Sequence, residues 1–211
     1  VLNADDEMSM KIINRIKSNI VLFSKDKNNK FVKEHLKKGC IAIYVYEDYM
    51  YIEKDNEIIS LMNINNIKIG LQGKLDYNIE NAMAACAAGI AMGINPIYIR
   101  KALESFNLNE KYIPGRFNMY NFKNRTVILD YGHNSEGYNA VLKGAKKLKY
   151  KRIIGVIGAP GDRNDEHLMK LGDISGKRFN YIYIKEDKNN RIRKKGEVAE
   201  LLKKGILNTG F

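Results

Sequence analysis

The chain is 211 residues long and carries 36 Lys and Arg against 24 Asp and Glu, a formal net charge of +12. With 45% apolar and 28% charged residues it is too hydrophobic for a disordered polyelectrolyte, and its length suits one large domain or two small ones. No apolar run approaches the ~18 residues that span a bilayer, and residues 1–10 lack the basic-then-apolar layout of a signal peptide, so a soluble, unexported, cytoplasmic chain with no membrane partner is expected.

Val1-Leu2 reads as the end of a buried strand, as if the natural chain began upstream. The runs NIVLF (19–23), CIAIYVY (40–46) and YMYIE (49–53) are rich in β-branched and aromatic residues and predict strands, the last two forming a hairpin across Glu47-Asp48. From Asn78 the pattern changes: Ile79, Met83, Cys86 and Ile90 recur at helical spacing among alanines, which predicts a closely packed helix. Gly93 and Pro96 punctuate it, and a second helix follows with Ile97, Ile99, Ala102, Leu103 and Phe106. The run KYIPGRF (111–117) reads as a linker, dividing the chain into residues 1–112 and 113–211 close to Pro114. Beyond it come a strand in TVILDYGHN (126–134) and a helix over about 136–148 with Tyr138, Val141, Leu142, Ala145 and Leu148 on one face. Next are a strand opening RIIGVIGAPGD (152–162), a helix carrying Leu168, Leu171 and Ile174, the strand 181–185 and a last helix with Val198, Leu201 and Leu202. Apolar strands alternating with amphipathic helices predict an α/β fold, an open parallel sheet with helices on both faces and ligands at the carboxyl ends of its strands.

Three polar loops leave those strand ends. In the first, residues 130–135, Asp130 can accept two ribose hydroxyls and His133 can donate to a phosphate or carboxylate oxygen; Asp130 and Ser135 serve equally well as turn and cap residues. In the second, residues 158–165, the glycines let a ligand approach the backbone, and Asp162, Arg163 and Asp165 set opposite charges side by side, as a zwitterion or a capped helix start would require. The third, residues 186–197, offers Glu186 and Asp187 to a basic group and Arg191 and Arg193 to an anion, or is a solvated connection. Neither G-x-G-x-x-G nor G-x-x-x-x-G-K-[ST] occurs. Cys40 and Cys86 read as reduced core residues, and His35, His133 and His167 are too dispersed for a metal signature, so no metal site is expected. Residues 136–211 hold 18 basic and 9 acidic side chains, a charge suited to steering anions or to a solvated lysine surface.

The ordered set Asn3-Ala-Asp-Asp6, Asn78-Ile-Glu-Asn81, Pro114-Gly-Arg116-Phe117, Asp130-Tyr-Gly-His133-Asn134, Pro160-Gly-Asp162-Arg163-Asn-Asp165 and Glu186-Asp187 resembles the Mur-ligase superfamily over nearly the whole chain. The resemblance implies the end of a central ATPase domain followed by a Rossmann-like C-terminal domain. It also implies ATP-dependent, Mg-assisted amide ligation, in which a carboxylate takes the γ-phosphoryl of ATP and an amine attacks the acyl phosphate. It places Asn78 and Asn81 near the nucleotide base, Arg116 at the phosphates, Asp130 at the ribose, His133 and Asn134 beside the reacting centre, and Asp162, Arg163, Asp165 and Asp187 around the incoming amino acid. The branch it resembles most joins arginine to the side-chain carboxylates of a polyaspartate backbone, a homo-oligomer being possible. Tyr77 stands where the family commonly has histidine and Ile192 where a glycine is expected, and the phosphate-binding loop and upstream Mg ligands would precede residue 1, so the fragment is expected to be inactive alone. The alternatives are a folylpolyglutamate or peptidoglycan-precursor ligase of the same type, a noncatalytic domain, or a nucleic-acid-binding basic domain, this last disfavoured because most aromatics lie in strand-like runs.

Overall fold

A computed structural model describes residues 1–188 and 190–211. The chain divides into two compact units, Val1–Ile113 and Pro114–Phe211. Among the described residues no helix is long and apolar enough to cross a membrane.

The first unit is built on a five-stranded sheet of β1 (Leu2–Asn3), β2 (Leu22–Ser24), β3 (Ala42–Tyr46), β4 (Tyr49–Lys54) and β5 (Glu57–Asn63), paired in that order. β1, β2 and β3 run parallel, and β3, β4 and β5 form an antiparallel meander. Both meander turns are two-residue connections with positive φ at each position, Glu47-Asp48 and Asp55-Asn56, the backbone that matches strand twist in hairpins. Side chains alternate across this sheet. Phe23 and Ile43 point into a core with Met83 and Cys86 of α3 (Asp76–Ala91) and Ile99 of α4 (Pro96–Ser105), whereas Leu22, Ala42 and Tyr44 meet Met10 of α1 (Glu7–Ile12) and Val32 of α2 (Lys30–Lys37) on the other face. Burial pushes the Cys86 thiol up to about 12, so it is an inert packing group. Helices α1 and α2 and strand β5 are additions to the predicted elements. At six and eight residues the two helices are too short to show a sustained apolar stripe.

The Asn3-Asp6 motif spends its side chains on this architecture. Asp6 caps α1 by accepting from the N–H groups of Met8 and Ser9, and Asp5 accepts from Ser24 Oγ at 2.6 Å, Lys25 N at 2.8 Å and Asn29 Nδ2 at 3.0 Å, tying β1 to β2 and to the start of α2.

The second unit opens with an antiparallel ribbon, β6 (Asn118–Phe122) and β7 (Arg125–Leu129), turned at Lys123-Asn124, again both with positive φ. Strand β6 is an addition to the predicted elements, because Asn118-Met-Tyr-Asn-Phe122 holds no β-branched residue and asparagine interrupts its apolar run. After α5 (Ser135–Lys146), β8 (Ile154–Ile157) and β9 (Tyr181–Ile184) pair in parallel through α6 (Asp165–Gly176), and α7 (Glu197–Leu207) follows. The α/β expectation holds in this strand and helix order. The core joins Ala159, Leu168, Leu171, Val198 and Leu202, with Tyr138 and Ile184 packed against it. Ile154, Val156, Tyr181 and Tyr183, which share the other face of the β8–β9 pair, are exposed.

Helices α6 and α7 meet backbone to backbone. A methyl group at Gly172 would overlap the Leu202 carbonyl oxygen, and one at Gly205 would overlap the Met169 carbonyl oxygen. The predicted helical stripe of Leu168 and Leu171 therefore sits beside a glycine contact that no periodicity reveals.

Candidate functional site

In the first unit, the two asparagines proposed for the nucleotide base are set by α3. Asn78 is buried, donating from Nδ2 to the Ile69 carbonyl at 2.9 Å while its Oδ1 accepts from Asn81 Nδ2 at 3.3 Å. Asn78 thus braces α3 against the turn before it, and of the pair only Asn81 is exposed.

The remaining proposed residues lie in the second unit, where three strand-end loops are joined by hydrogen bonds. Asp130, at the end of β7, accepts from Phe117 N at 2.9 Å, and Tyr131 N donates to the Gly115 carbonyl at 2.7 Å, so the Pro114–Phe117 turn is fastened to the first loop. Phe117 is fully buried with φ +49°, a left-handed conformation held for a bulky residue by that bond and its packing. Arg116 is exposed on the same turn, close enough for its charge to act on Asp130. Burial holds the Asp130 carboxyl above its ordinary value near 3.8, against the opposing pull of the Phe117 and Gly132 N–H groups and the charges of Arg116 and His133.

This yields a signed prediction. A carboxyl whose pKa rises on folding contributes stability that is complete below its ordinary value and is lost as pH climbs through the raised one. Asp130→Asn keeps an oxygen for Phe117 N–H and should abolish that component of the pH–stability curve. Asp130→Ala leaves a buried donor unpaired and should cost about 1–3 kcal/mol, read by urea denaturation across pH.

His133 donates from Nδ1 to the Tyr131 carbonyl at 3.2 Å, since a carbonyl only accepts, and this bond leaves Nε2 uncommitted. Its own carbonyl accepts from His167 Nε2 at 3.2 Å, across from the first turn of α6. Asn134 caps α5 through Gly137 N at 2.7 Å, and Asn164 caps α6 through His167 N at 2.8 Å. The contact of His167, one of the three dispersed histidines, with the first loop spans 34 residues and has no local signal in the sequence.

The glycines of the second loop accommodate chain as well as any ligand. A methyl at Gly161 would overlap the Asn190 carbonyl oxygen and one at Gly158 would lie 2.8 Å from the Lys185 carbonyl oxygen, so both permit the third loop to press on the second. The carboxylates proposed for the amino-acid pocket are held by internal cations. Asp162 pairs with Arg191 and lies 4.0 Å from Arg163 Nε, Asp165 accepts from Arg193 at 2.7 Å, and Asp187 accepts from Lys185 at 3.1 Å. Arg163 Nε is buried with no hydrogen-bond partner among the described residues. Arg191 adopts φ +55°, one residue before the Ile192 position where glycine was expected, so the left-handed turn is made by its neighbour. Glu186 accepts from Gly196 N at 2.8 and 2.9 Å and so fixes the start of α7. Asn189, within this third loop, lies outside the described residues.

A shallow groove open to solvent runs along α7, lined in part by Asp165, Glu197, Glu200, Lys203 and Lys204. Among the described residues no group of three His, Cys, Asp or Glu side chains converges to hold a metal.

Comparison with known proteins agrees with the family resemblance. Residues 115–207 match the family described as Mur ligase, glutamate ligase domain. The chain is 39% identical over 207 residues to the cyanophycin synthetase of Geminocystis herdmanii, covering 98% of this chain and 24% of that protein. Over 136 residues, 64% of this chain and 26% of the relative, it is 33% identical to the UDP-N-acetylmuramoyl-L-alanyl-D-glutamate–2,6-diaminopimelate ligase of Geobacter metallireducens. The chain therefore spans about a quarter of the length of the curated relatives it matches. Its fold is similar to that of MurF from Acinetobacter baumannii, with a TM-score of 0.53 at 17% identity, covering 94% of this chain and 44% of the other.

Proposed function

Because this chain belongs to the Mur ligase family, we propose that it is part of an ATP-dependent ligase joining an amino acid to a carboxylate through an acyl phosphate, with arginine as the amino acid and an acidic polyaspartate-type polymer as acceptor. The observation that carries the reading is the 39% identity to a cyanophycin synthetase over 98% of the chain, loops included. In this reading residues 1–112 end the ATPase domain and residues 113–211 form most of the C-terminal domain, and ATP brings its Mg.

Each residue then has a stated task. Arg116 places a positive charge against the phosphoryl oxygens, where negative charge gathers in the transition state. Asp130 accepts ribose hydroxyls with the lone pairs left by Phe117 and Gly132. His133 presents Nε2 to the reacting centre, Asn134 holds the loop, and Asn81 reaches the base with Asn78 as its support. The guanidinium of Arg163, whose side chain is 41% exposed, suits the α-carboxylate of the incoming amino acid, and Asp162 and Asp187, whose cations are exposed, suit its guanidinium.

The test is incorporation of labelled arginine into an aspartate polymer by the full-length protein with Mg-ATP, set against glutamate and diaminopimelate. Arginine is expected to be incorporated at least ten-fold faster than either, and only with ATP. ADP release with another amino acid alone would replace the substrate, and no turnover with any would sink the ligase reading.

A further inference from the structure

Arg193 lies in the third loop, between β9 and α7, yet most of its bonds are made to the second. Its Nε donates to the Gly161 carbonyl at 3.0 Å and its Nη2 to the Arg163 carbonyl at 2.6 Å and to Asp165 Oδ1 at 2.7 Å, while Nη1 donates to Glu197 Oε1 at 2.5 Å. Four acceptors thus come from the second loop, the first residue of α6 and the first residue of α7. The Arg193 side chain is 12% exposed, although its carboxylate partners Asp165 and Glu197 are 61% and 41% exposed, whereas the neighbouring Arg191 is 46% exposed and pairs with Asp162.

The two arginines differ in kind. An exposed ion pair is screened and exchanges readily, but a planar guanidinium that fills its fork with two backbone carbonyls and two carboxylates fixes the positions of all four. Those two carbonyls flank Asp162, and one belongs to Arg163 itself. With Gly161 pressed against the Asn190 carbonyl oxygen, the second loop is buckled to the third from both sides of Asp162. Asp165 is consumed in this buckle.

We propose that Arg193 is the positioning residue of the amino-acid pocket: without touching substrate, it holds the Gly161–Asp165 loop so that Asp162 and Arg163 face the incoming amino acid. The inference rests on the ligase reading above and deepens it. It reassigns Asp165 from a contact of the substrate to a part of the frame. A lysine preserves the charge but brings a single nitrogen, too compact to reach carbonyls and carboxylates spread along two loops.

The experiment uses the full-length protein with Arg193→Met and Arg193→Lys, measuring KM separately for arginine and for ATP, together with amide exchange over residues 161–165. The methionine variant is expected to raise the arginine KM ten-fold or more, leave the ATP KM within two-fold, and speed exchange in the loop at least ten-fold; lysine is expected to recover part of each change. If the methionine variant does not fold, the lysine variant carries the test with an arginine KM raised about three-fold. An unchanged arginine KM, or arginine and ATP KM values rising together, overturns the positioning role while wild-type turnover leaves the ligase reading standing. A wild type inactive with every amino acid overturns both.

Discussion

Gly205→Ala is expected to cost the second unit about 3 kcal/mol, and Gly172→Ala a similar amount. At an exposed helical site the exchange of glycine for alanine stabilises by roughly 1 kcal/mol, because glycine gives up more backbone freedom on folding. Here the sign reverses. The added methyl meets a carbonyl oxygen and other main-chain atoms of the facing helix, none of which can rotate away as a side-chain tip would, so α6 and α7 must separate. Overpacking usually costs about 1–3 kcal/mol, and a clash against backbone belongs at the top of that range. The separation also opens the core shared by Leu168, Leu171 and Leu202, all fully buried. For a unit of this size the midpoint of thermal unfolding should fall by about 10–20 °C. A loss below about 1 kcal/mol would show that the helices slide apart freely and that the glycine contact is incidental.

His133→Ala is expected to lower turnover of the full-length protein by about 100-fold or more, with little change in the affinity for ATP. The argument is one of preorganisation. The loop is fixed by Asp130 on Phe117 N, by Tyr131 N on Gly115 O, by His167 on the His133 carbonyl and by the Asn134 cap, so the imidazole is held while its Nε2 stays uncommitted by these bonds. Loss of a positioned proton-transfer or charge-stabilising group typically costs about 10²–10⁴ in rate. Most of the frame is made by other residues, so the variant should fold, and thermal unfolding of wild type and variant checks that it does. A kcat within three-fold of wild type would remove His133 from the proposed reacting centre.

The long elements were legible without a structure. The alanine-rich helix α3, the helices α5, α6 and α7 and the strands β3, β4, β8 and β9 all carry either helical spacing or a compact apolar run, and both signals are local. The loops at the strand ends were legible for the same reason, because glycine, asparagine and aspartate clusters punctuate such runs. Family resemblance also came from the linear order of short motifs, which needs no coordinates.

Which groups each polar residue bonds within the chain depends on contacts between segments distant in sequence. Asp130 serves Phe117 13 residues away, His167 reaches His133 across 34, and Arg193 holds Gly161 across 32. Nothing in the spacing of Asp162 and Asp165 distinguishes a carboxylate paired with an exposed arginine from one held by a guanidinium that also grips two backbone carbonyls. The glycines tell the same story: Gly161 gives room to the Asn190 carbonyl as well as to any ligand, and Gly172 and Gly205 are where their helices touch. Periodicity records which face of an element is apolar, and so the sequence by itself determined most of the elements and the strand-end loops. Which main-chain atoms come within reach of a given side chain depends on how the elements cross, and only the tertiary structure decided that.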